Sequence, residues 1–392
     1  MEGSNAFLPQ ESIINILKRL PVKSLIRFQC VCKNWKNLLK DPLFIVDHLH
    51  HSSQQLSFLY QSNNQLYLRS FHCDFRQREV HNPPVIDYCL SSFSTRSDVR
   101  IIGSSNGLLC VELCGYYRSY YCLVLWNPAI KEVRVVPRRT IASERPFLIG
   151  FGFSSIANDY KIIKIRSSYW NYTLGVNGVL VYTLSTGLWK EVEFENIKHL
   201  STYSEVATAN NGAIIWLANN LNDDDGMLVS FDMAMKVFTL IPMPALPPWS
   251  TSIPTFYENK PAILSYNKEI GTSKSGFIHL WVVEEDTCAS GGGKWTWNKI
   301  YSGNRYLHPY YLTPLNIWRN EIVCTVGFLS ELVWRTEKYG EAWEDEGRTS
   351  CLLNPTTNEF KKFVMNNYSS GFRILDYVES LVSVGNIDVE EP

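Results

Sequence analysis

Eight histidines and ten cysteines supply the side chains that metal binding or nucleophilic catalysis would use in this chain of 392 residues. The cysteines are scattered, and no two of them form a Cys-x-x-Cys pair. His48, His50 and His51 make the one histidine cluster, and no second ligand motif accompanies them at zinc spacing. Structural zinc sites draw four ligands from such motifs. We therefore expect no metal site, no cofactor, and thiols that stay free in a reducing compartment.

Signatures of enzymes are sparse as well. The chain carries neither a P-loop nor a dinucleotide-binding fingerprint. Acidic runs at 223–225, 284–286 and 344–346 offer paired carboxylates, which glycosidases use. These runs lie in polar segments, where solvated loop charge that helps to select a basic partner is the simpler interpretation. The prediction is a chain without catalytic residues. The alternative is a small-molecule- or glycan-binding protein, with or without enzymatic activity.

The composition is that of a globular chain without a strong charge bias. Hydrophobic residues make up 45%, charged residues 19%, and the formal net charge is −1. Because nucleic-acid-binding domains carry a basic surplus, we expect no nucleic-acid partner. No run of about 18 apolar residues predicts a membrane span, and the N-terminus lacks the basic and apolar regions of a secretory signal. The expected location is cytoplasmic and/or nuclear.

The elements that would position a functional surface begin with a helical segment at residues 8–50. Its apolar side chains recur at helical spacing in three stripes. The stripes consist of Ile13, Ile16, Leu17 and Leu20; of Leu25, Phe28 and Val31; and of Trp35, Leu38 and Leu39. Pro21 ends the first helix because it lacks an N–H group, and Asp41 is placed to cap a further short helix over Phe44 to Leu49. The segment is therefore predicted to be a small all-α module.

A helical module of about forty residues is too small to bury all of these side chains. Each large aliphatic side chain left in water forgoes about 1.5–3 kcal/mol of burial energy. The helices are therefore expected to present an apolar face that something covers. Two covers remain open at this point: a protein partner, or this chain's own second domain.

The same forty residues carry a resemblance to a known family. Leu8-Pro9-x-Glu11, Leu20-Pro21-Val22-Lys23-Ser24-Leu25 and Val31-Cys32-Lys33-x-Trp35 occur in order. This pattern resembles the F-box, in particular its plant form. F-boxes bind a Skp-type adaptor, which links them to the cullin and RING subunits of a ubiquitin ligase. The resemblance implies these adaptor-binding residues: Leu8, Pro9, Ile16, Leu20, Pro21, Leu25, Val31 and Trp35. For Val31 and Trp35, packing in the module's own core is an alternative role.

From about residue 53 onward the apolar period becomes two, which predicts short strands between turns. A weak repeat underlies them, in which Trp126, Tyr182, Phe231 and Trp281 follow one another at about 50 residues. Four-stranded units at this spacing are typical of a β-propeller. We predict six blades, the sixth combining the first strands with a last strand at 377–384. A two-sheet β-sandwich is the alternative.

This second region also resembles a known domain. Gly103-Ser104-Ser105-Asn106-Gly107-Leu108, then Trp126-Asn127-Pro128, then Gly150-Phe151-Gly152-Phe153 match in order the F-box-associated interaction domain of plant F-box proteins. Some of these proteins are labelled F-box/kelch, but the kelch Gly-Gly signature is missing from the blades. S-locus F-box proteins are similar too, as are F-box proteins with other roles. The implied organisation is an F-box at 1–50 and a kelch-like substrate-recognition domain at 53–388.

The resemblance implies a non-catalytic substrate-recognition subunit of an SCF-type (Skp–cullin–F-box) E3 ubiquitin ligase. The F-box would dock the adaptor, and the β-domain would hold an unidentified protein target for ubiquitination and proteasomal degradation. Loops on a rigid scaffold carry recognition. We therefore expect target contacts in the long loops at 116–121, 167–177, 221–226, 284–294 and 335–348.

Overall fold

The computed structural model describes the chain in fifteen stretches. They are residues 8–53, 57–62, 65–70, 77–80, 98–114, 121–138, 148–167, 175–202, 207–223, 225–267, 276–286, 294–307, 310–328, 348–365 and 374–385. The chain divides into two compact units. Unit 1 comprises residues 1–59, 65–136 and 376–392, and unit 2 comprises residues 60–64 and 137–375.

Within the described residues, the α-helices lie in the N-terminal part of unit 1. They are α1 (Gln10–Leu17), α2 (Val22–Phe28), α3 (Lys33–Leu38) and α4 (Pro42–Ser52). Pro9 and Pro21 stand at the N-caps of α1 and α2, where the missing N–H costs nothing. Asp41 caps α4, accepting hydrogen bonds from the N–H groups of Leu43 at 2.8 Å and Phe44 at 3.3 Å. The predicted fourth helix is confirmed, and it is longer than expected at both ends.

Strands make up the regular structure of the rest of the described chain. In chain order they are β1 (Ser57–Ser62), β2 (Gln65–Ser70), β3 (Gln77–Val80), β4 (Asp98–Ser105), β5 (Leu108–Cys114), β6 (Tyr121–Asn127), β7 (Glu132–Val135), β8 (Leu148–Ser154), β9 (Asp159–Ser167), β10 (Val176–Thr183), β11 (Leu188–Glu191), β12 (Leu200–Thr202), β13 (Thr208–Asn210), β14 (Ala213–Asn220), β15 (Gly226–Asp232), β16 (Phe238–Pro242), β17 (Ser250–Tyr257), β18 (Lys260–Asn267), β19 (Phe277–Asp286), β20 (Lys294–Asn304), β21 (Tyr306–Leu307), β22 (Tyr310–Trp318), β23 (Glu321–Phe328), β24 (Arg348–Leu353), β25 (Phe360–Met365) and β26 (Ile374–Tyr377).

These strands form separate antiparallel sheets in which chain neighbours pair. Unit 1 contains the sheet β4-β5-β6-β7. Unit 2 contains β11-β10-β9-β8, β12-β14-β15-β16 with β13 also on β14, β17-β18-β19-β20, and β21-β22-β23-β24-β25. A further sheet has the order β26-β1-β2-β3, so the last described strand pairs with the first. The prediction of a small helical module followed by an all-β domain is confirmed.

Two kinds of turn recur from sheet to sheet. The first is a two-residue hairpin with positive φ at both residues, which favours Asn and Gly: Asn106 (48°) with Gly107 (82°), and Asn211 (43°) with Gly212 (82°). The second follows the aromatic repeat. There a side-chain oxygen of Asn127, Asp232 and Asn354 accepts a hydrogen bond from the N–H two residues later, at 3.0, 2.7 and 2.8 Å. The sequence repeat is thus a repeat of turn chemistry.

The last predicted strand is wrong in position. It was expected at 377–384, whereas β26 ends at Tyr377 and residues 378–385 belong to no strand. Several of their backbone polar groups bond to side chains instead. Asn127 Nδ2 donates to the carbonyls of Ser380 and Val382, and Glu132 Oε2 accepts from the N–H of Val384. An alternating apolar sequence does not distinguish a strand from an extended segment whose backbone hydrogen bonds go to side chains.

Candidate functional site

The helices of unit 1 leave several large apolar side chains in solvent. Leu8, Ile16, Val31, Leu43 and Val46 are 60%, 52%, 61%, 79% and 61% exposed. Single exposed aliphatic side chains are common on proteins, but five in one small helical module indicate a surface for interaction. We call these five residues the docking surface.

A separate set of side chains forms the core of the same helices. Leu17, Val22, Leu25, Leu39 and Phe44 are each at most 4% exposed and pack in one cluster. Phe28 and Trp35 flank it, with ring centroids 5.6 Å apart. Because burial of each aliphatic side chain contributes about 1.5–3 kcal/mol, this core stabilises the packing of the helices, and none of its residues belongs to the docking surface.

The eight predicted adaptor-binding residues fall into three groups by exposure. Leu8, Pro9, Ile16, Pro21 and Val31 are exposed, Leu20 and Trp35 are partly buried, and Leu25 is fully buried. Leu25 has no accessible surface to offer a partner, so its place is in the core. Leu43 and Val46 were not predicted. Their spacing of three on α4 puts both side chains on one face of that helix, and this spacing was the available signal.

Part of the helical module is covered by the chain itself. Leu381, at 5% exposure, belongs to the core cluster of the helices, and Ala129 and Ile130 of the turn between β6 and β7 pack against it. Of the two covers that the sequence left open, the chain's own second region is the one observed on this side of the helices. One apolar side packs on sheet β4-β5-β6-β7 and the C-terminal segment, while the docking surface stays exposed.

The histidine cluster at the end of α4 is not a uniform solvated surface. His48 is 1% exposed, and its Nε2 lies 2.9 Å from the carbonyl oxygen of Leu20, so Nε2 carries the proton and donates. Ser52 Oγ lies 3.4 Å from Nδ1. Burial lowers the pKa of His48, so the ring is neutral and structural at neutral pH. Among the described residues, no group of three or more His, Cys, Asp or Glu side chains is arranged to hold a metal.

Two features that suggest catalysis have structural explanations. Residues 103–107 match Gly-x-Ser-x-Gly, but they end β4 and form the hairpin to β5, whereas a nucleophile elbow joins a strand to a helix. In the acidic run at 284–286, Glu284 accepts hydrogen bonds from Lys260 at 2.7 Å and Asn298 at 2.8 Å. The hydrogen bond from Lys260 lowers the pKa of Glu284, whereas the general acid of a glycosidase needs a raised pKa.

Comparison with protein families identifies both regions. The F-box domain model matches residues 7–47, and the model described as F-box associated beta propeller domain matches residues 55–319. The chain belongs to the F-box-associated β-propeller family. The relationship that the motifs suggested is confirmed for the helical module and for the β-domain.

Known relatives of this F-box-associated propeller protein are plant F-box proteins. One from Arabidopsis thaliana is 26% identical over 238 residues, which are 61% of this chain and 61% of that protein. An F-box/kelch-repeat protein from the same plant is 26% identical over 248 residues, 60% of this chain and 65% of that protein. The chain thus spans about three fifths of the length of these relatives. The kelch label found among them fits the kelch-like resemblance, although the blade repeats of this sequence lack the Gly-Gly signature.

Solved structures resemble the F-box-associated propeller only distantly. An oligogalacturonate lyase in complex with manganese is 11% identical, with a TM-score of 0.41 over 79% of this chain and 73% of that one. A likeness of this degree says nothing of activity. None of the helices in the described part of the chain has the length and apolar character needed to cross a membrane.

The loops predicted to contact a target fall mostly outside the described residues. These are the loops at 116–121, 167–177, 221–226, 284–294 and 335–348, of which the structure describes only end residues and most of 221–226. In the described part of 221–226, Asp223 accepts hydrogen bonds from the Asp225 N–H at 3.1 Å and from Asn220 Nδ2 at 2.9 Å.

Proposed function

We propose that this chain is the substrate-recognition subunit of an SCF-type E3 ubiquitin ligase. The observation that carries the proposal is the docking surface, five exposed apolar side chains outside the core of the helices, within a segment that matches the F-box domain. A hydrophobic surface that does not belong to the core of its module is suited to binding another protein. The partner is a Skp-type adaptor, through which cullin and RING subunits join.

The adaptor contacts are divided between direct and indirect roles. Leu8, Pro9, Ile16, Pro21 and Val31 contact the adaptor, together with Leu43 and Val46, because these side chains are exposed. Leu20 and Trp35 contribute their exposed edges, and Leu25 acts through the core. This assignment predicts that core residues affect docking only by unfolding the module.

The second region holds the protein to be modified. We assign the F-box to residues 1–50 and the recognition domain to residues 53–388, with one propeller blade for each of the six sheets in which the described strands pair. The chain contributes no catalytic group. Tethering raises the effective concentration of the target's lysines near the ubiquitin that other subunits carry, and the modified target goes to the proteasome. This role places the protein in the cytoplasm or nucleus, which imaging of a fluorescent fusion tests.

Adaptor binding is tested with two matched triple variants. The first, Leu8→Ala/Ile16→Ala/Val31→Ala, truncates exposed side chains of the docking surface. The control truncates side chains of unit 2 that are 83%, 59% and 72% exposed, and these are Ile156→Ala, Leu188→Ala and Met235→Ala. Each half-exposed aliphatic side chain is worth about 1 kcal/mol on burial, so the first variant should lose about a hundredfold in affinity.

The measurement is the dissociation constant for a purified Skp-type adaptor by titration calorimetry. Wild type and control should bind alike, and the docking-surface variant should bind about a hundredfold more weakly. Absence of binding by the wild type would refute the F-box role and leave a ligand-binding propeller as the better account. Equal weakening in both variants would refute the assignment of the surface.

A further inference from the structure

The C-terminal segment Glu379–Gly385 is bound along sheet β4-β5-β6-β7 by the side chain of one asparagine. Asn127 Nδ2 donates to the carbonyl oxygens of Ser380 at 3.0 Å and Val382 at 2.7 Å, and Ser380 Oγ lies 3.4 Å from the same nitrogen. Asn127 is fully buried, where each hydrogen bond is protected from competition by water. Its Oδ1 caps the turn that carries Ala129. One side chain thus shapes the turn and binds the segment.

Two side chains of β7 bind the rest of the segment. Glu132 Oε2 accepts hydrogen bonds from Ser383 Oγ at 2.6 Å and from the N–H of Val384 at 3.1 Å. Arg134 Nη1 donates to the carbonyl of Val384 at 3.2 Å. Two of these bonds involve a carboxylate and one a guanidinium, and hydrogen bonds to charged groups are the stronger kind. The segment is therefore fixed on sheet β4-β5-β6-β7 at both of its ends.

Between these attachments the segment reaches the helices. Leu381, one residue after the Ser380 carbonyl that Asn127 binds, packs in the core formed by Leu17, Leu25 and Phe44. Glu379, on the other side of Ser380, is close enough to the α4 residue His48 for its charge to favour the protonated imidazole, although burial outweighs this and lowers the pKa of His48. A single short segment is hydrogen-bonded to the sheet and inserted into the helical core.

The segment packs closely against the turn between β4 and β5, with no space for a further side-chain atom at Gly107. At Gly107, in the turn between β4 and β5, a Cβ would overlap Ser380 Oγ and would lie 2.7 Å from the carbonyl oxygen of Val378. Gly107 thus admits the segment where any larger residue would displace it. Two of the sheet's turns, at 106–107 and 127–131, therefore contact or bind the same seven-residue segment.

We propose that residues 379–385 form a brace that holds the F-box helices in one orientation on sheet β4-β5-β6-β7, with Leu381 and Asn127 as its positioning residues. The inference deepens the proposed function and rests on it, since the helices so held are those that would dock the adaptor. No residue of the brace belongs to the docking surface. Adaptor binding and orientation are therefore separate properties of the module.

The proposal is tested by amide hydrogen exchange on the full-length chain. Asn127→Asp keeps the oxygen that caps the turn, removes the Nδ2 donor and places a negative charge against two carbonyl oxygens. Asn354→Asp is the matched control, because Asn354 caps the equivalent turn after β24 and no described hydrogen bond uses its Nδ2. Leu381→Ser removes the insertion into the core, and Leu381→Met retains its volume and apolar character.

Asn127→Asp loses two hydrogen bonds and introduces a repulsion between its carboxylate and two carbonyl oxygens. Amide exchange in 379–385 and α1–α4 should therefore rise at least about tenfold in this variant. Leu381→Ser should do the same, Leu381→Met should restore the wild-type rates, and Asn354→Asp should match wild type. Exchange in β14 and β15 of unit 2 should not change in any variant. Unchanged helices in both Asn127→Asp and Leu381→Ser, or an equal rise throughout the chain, would overturn the brace.

A second measurement separates this proposal from the proposed function. The dissociation constant for the Skp-type adaptor should change less than about threefold in Asn127→Asp, since the docking surface is untouched. If the wild type does not bind the adaptor, the proposed function fails while the exchange data still decide the brace. If Asn127→Asp abolishes adaptor binding with the helices still protected, the separation of docking from orientation is wrong.

Discussion

Two neighbouring residues of α1 separate docking from folding within the helical module. Ile16 is 52% exposed and Leu17 is 1% exposed, because successive helical residues point about 100° apart. Ile16→Ala removes side chain that is half in solvent and installs a better helix former, so the helices should lose less than about 1 kcal/mol of stability. Leu17→Ala leaves a cavity in the core and should cost about 2–5 kcal/mol.

The two variants should therefore differ in opposite ways in two assays: Leu17→Ala should mainly reduce helix protection, and Ile16→Ala should mainly weaken adaptor binding. In amide exchange of α1–α4, Leu17→Ala should raise rates about thirtyfold or more, since 1.4 kcal/mol corresponds to a factor of ten, and Ile16→Ala should raise them less than about fivefold. In adaptor titrations, Ile16→Ala should weaken binding about fivefold for about 1 kcal/mol of lost burial. Met235→Ala, on an exposed turn of unit 2, is the control for both assays. Equal loss of protection in the two variants, or unchanged affinity for Ile16→Ala, would refute the division of α1 into a docking side and a core side.

Three further predictions test the chemistry of individual side chains. Burial lowers the pKa of His48 below its unfolded value of about 6.5, so the folded helices bind fewer protons than the unfolded chain. The stability of the helices should therefore fall as pH drops below about 6.5. Exchange protection measured as a function of pH should show this fall in the wild type and not in His48→Gln. Gly107→Ala and Gly212→Ala impose the same backbone strain at φ 82°, about 1–2 kcal/mol, but a Cβ at Gly212 meets nothing nearer than 3.9 Å. Thermal unfolding should therefore show a larger loss of stability for Gly107→Ala. Equal losses of stability would contradict the close fit described for Gly107. Cys30 and Cys32 are exposed and flank the docking-surface residue Val31. Bound adaptor should therefore slow their alkylation by iodoacetamide at least about threefold, as measured by mass spectrometry. Unchanged alkylation rates would exclude this part of the module from the interface.

Sequence patterns predicted the fold where one local signal determines the structure. The helical stripes, Pro21 and Asp41 each act within a few residues, and the structure has the helices that they predict. The repeat with Trp126 and Phe231 predicted the sheets because Asn127 and Asp232 build the same side-chain-capped turn in different sheets. Such features need no knowledge of what lies across the fold.

The features that sequence reasoning missed depend on contacts between residues far apart in the chain. Leu381 looked like part of a strand, and only its insertion among helices about 350 residues earlier reveals its role. Leu25 matches the F-box pattern as well as Ile16 does, yet burial separates core from surface, and a motif match does not encode burial. Leu43 and Val46 were not predicted as adaptor-binding residues because two apolar residues on a short capped helix can belong to a core as well as to a surface.

The most direct test of the central claim is assembly from purified components. An equimolar mixture of the full-length chain and a Skp-type adaptor should elute from size-exclusion chromatography as one particle, whose light-scattering mass corresponds to one copy of each. Addition of the cullin and RING subunits should shift this particle to a larger mass only when the adaptor is present. Separate elution of the chain and the adaptor, at concentrations above micromolar, would contradict the account.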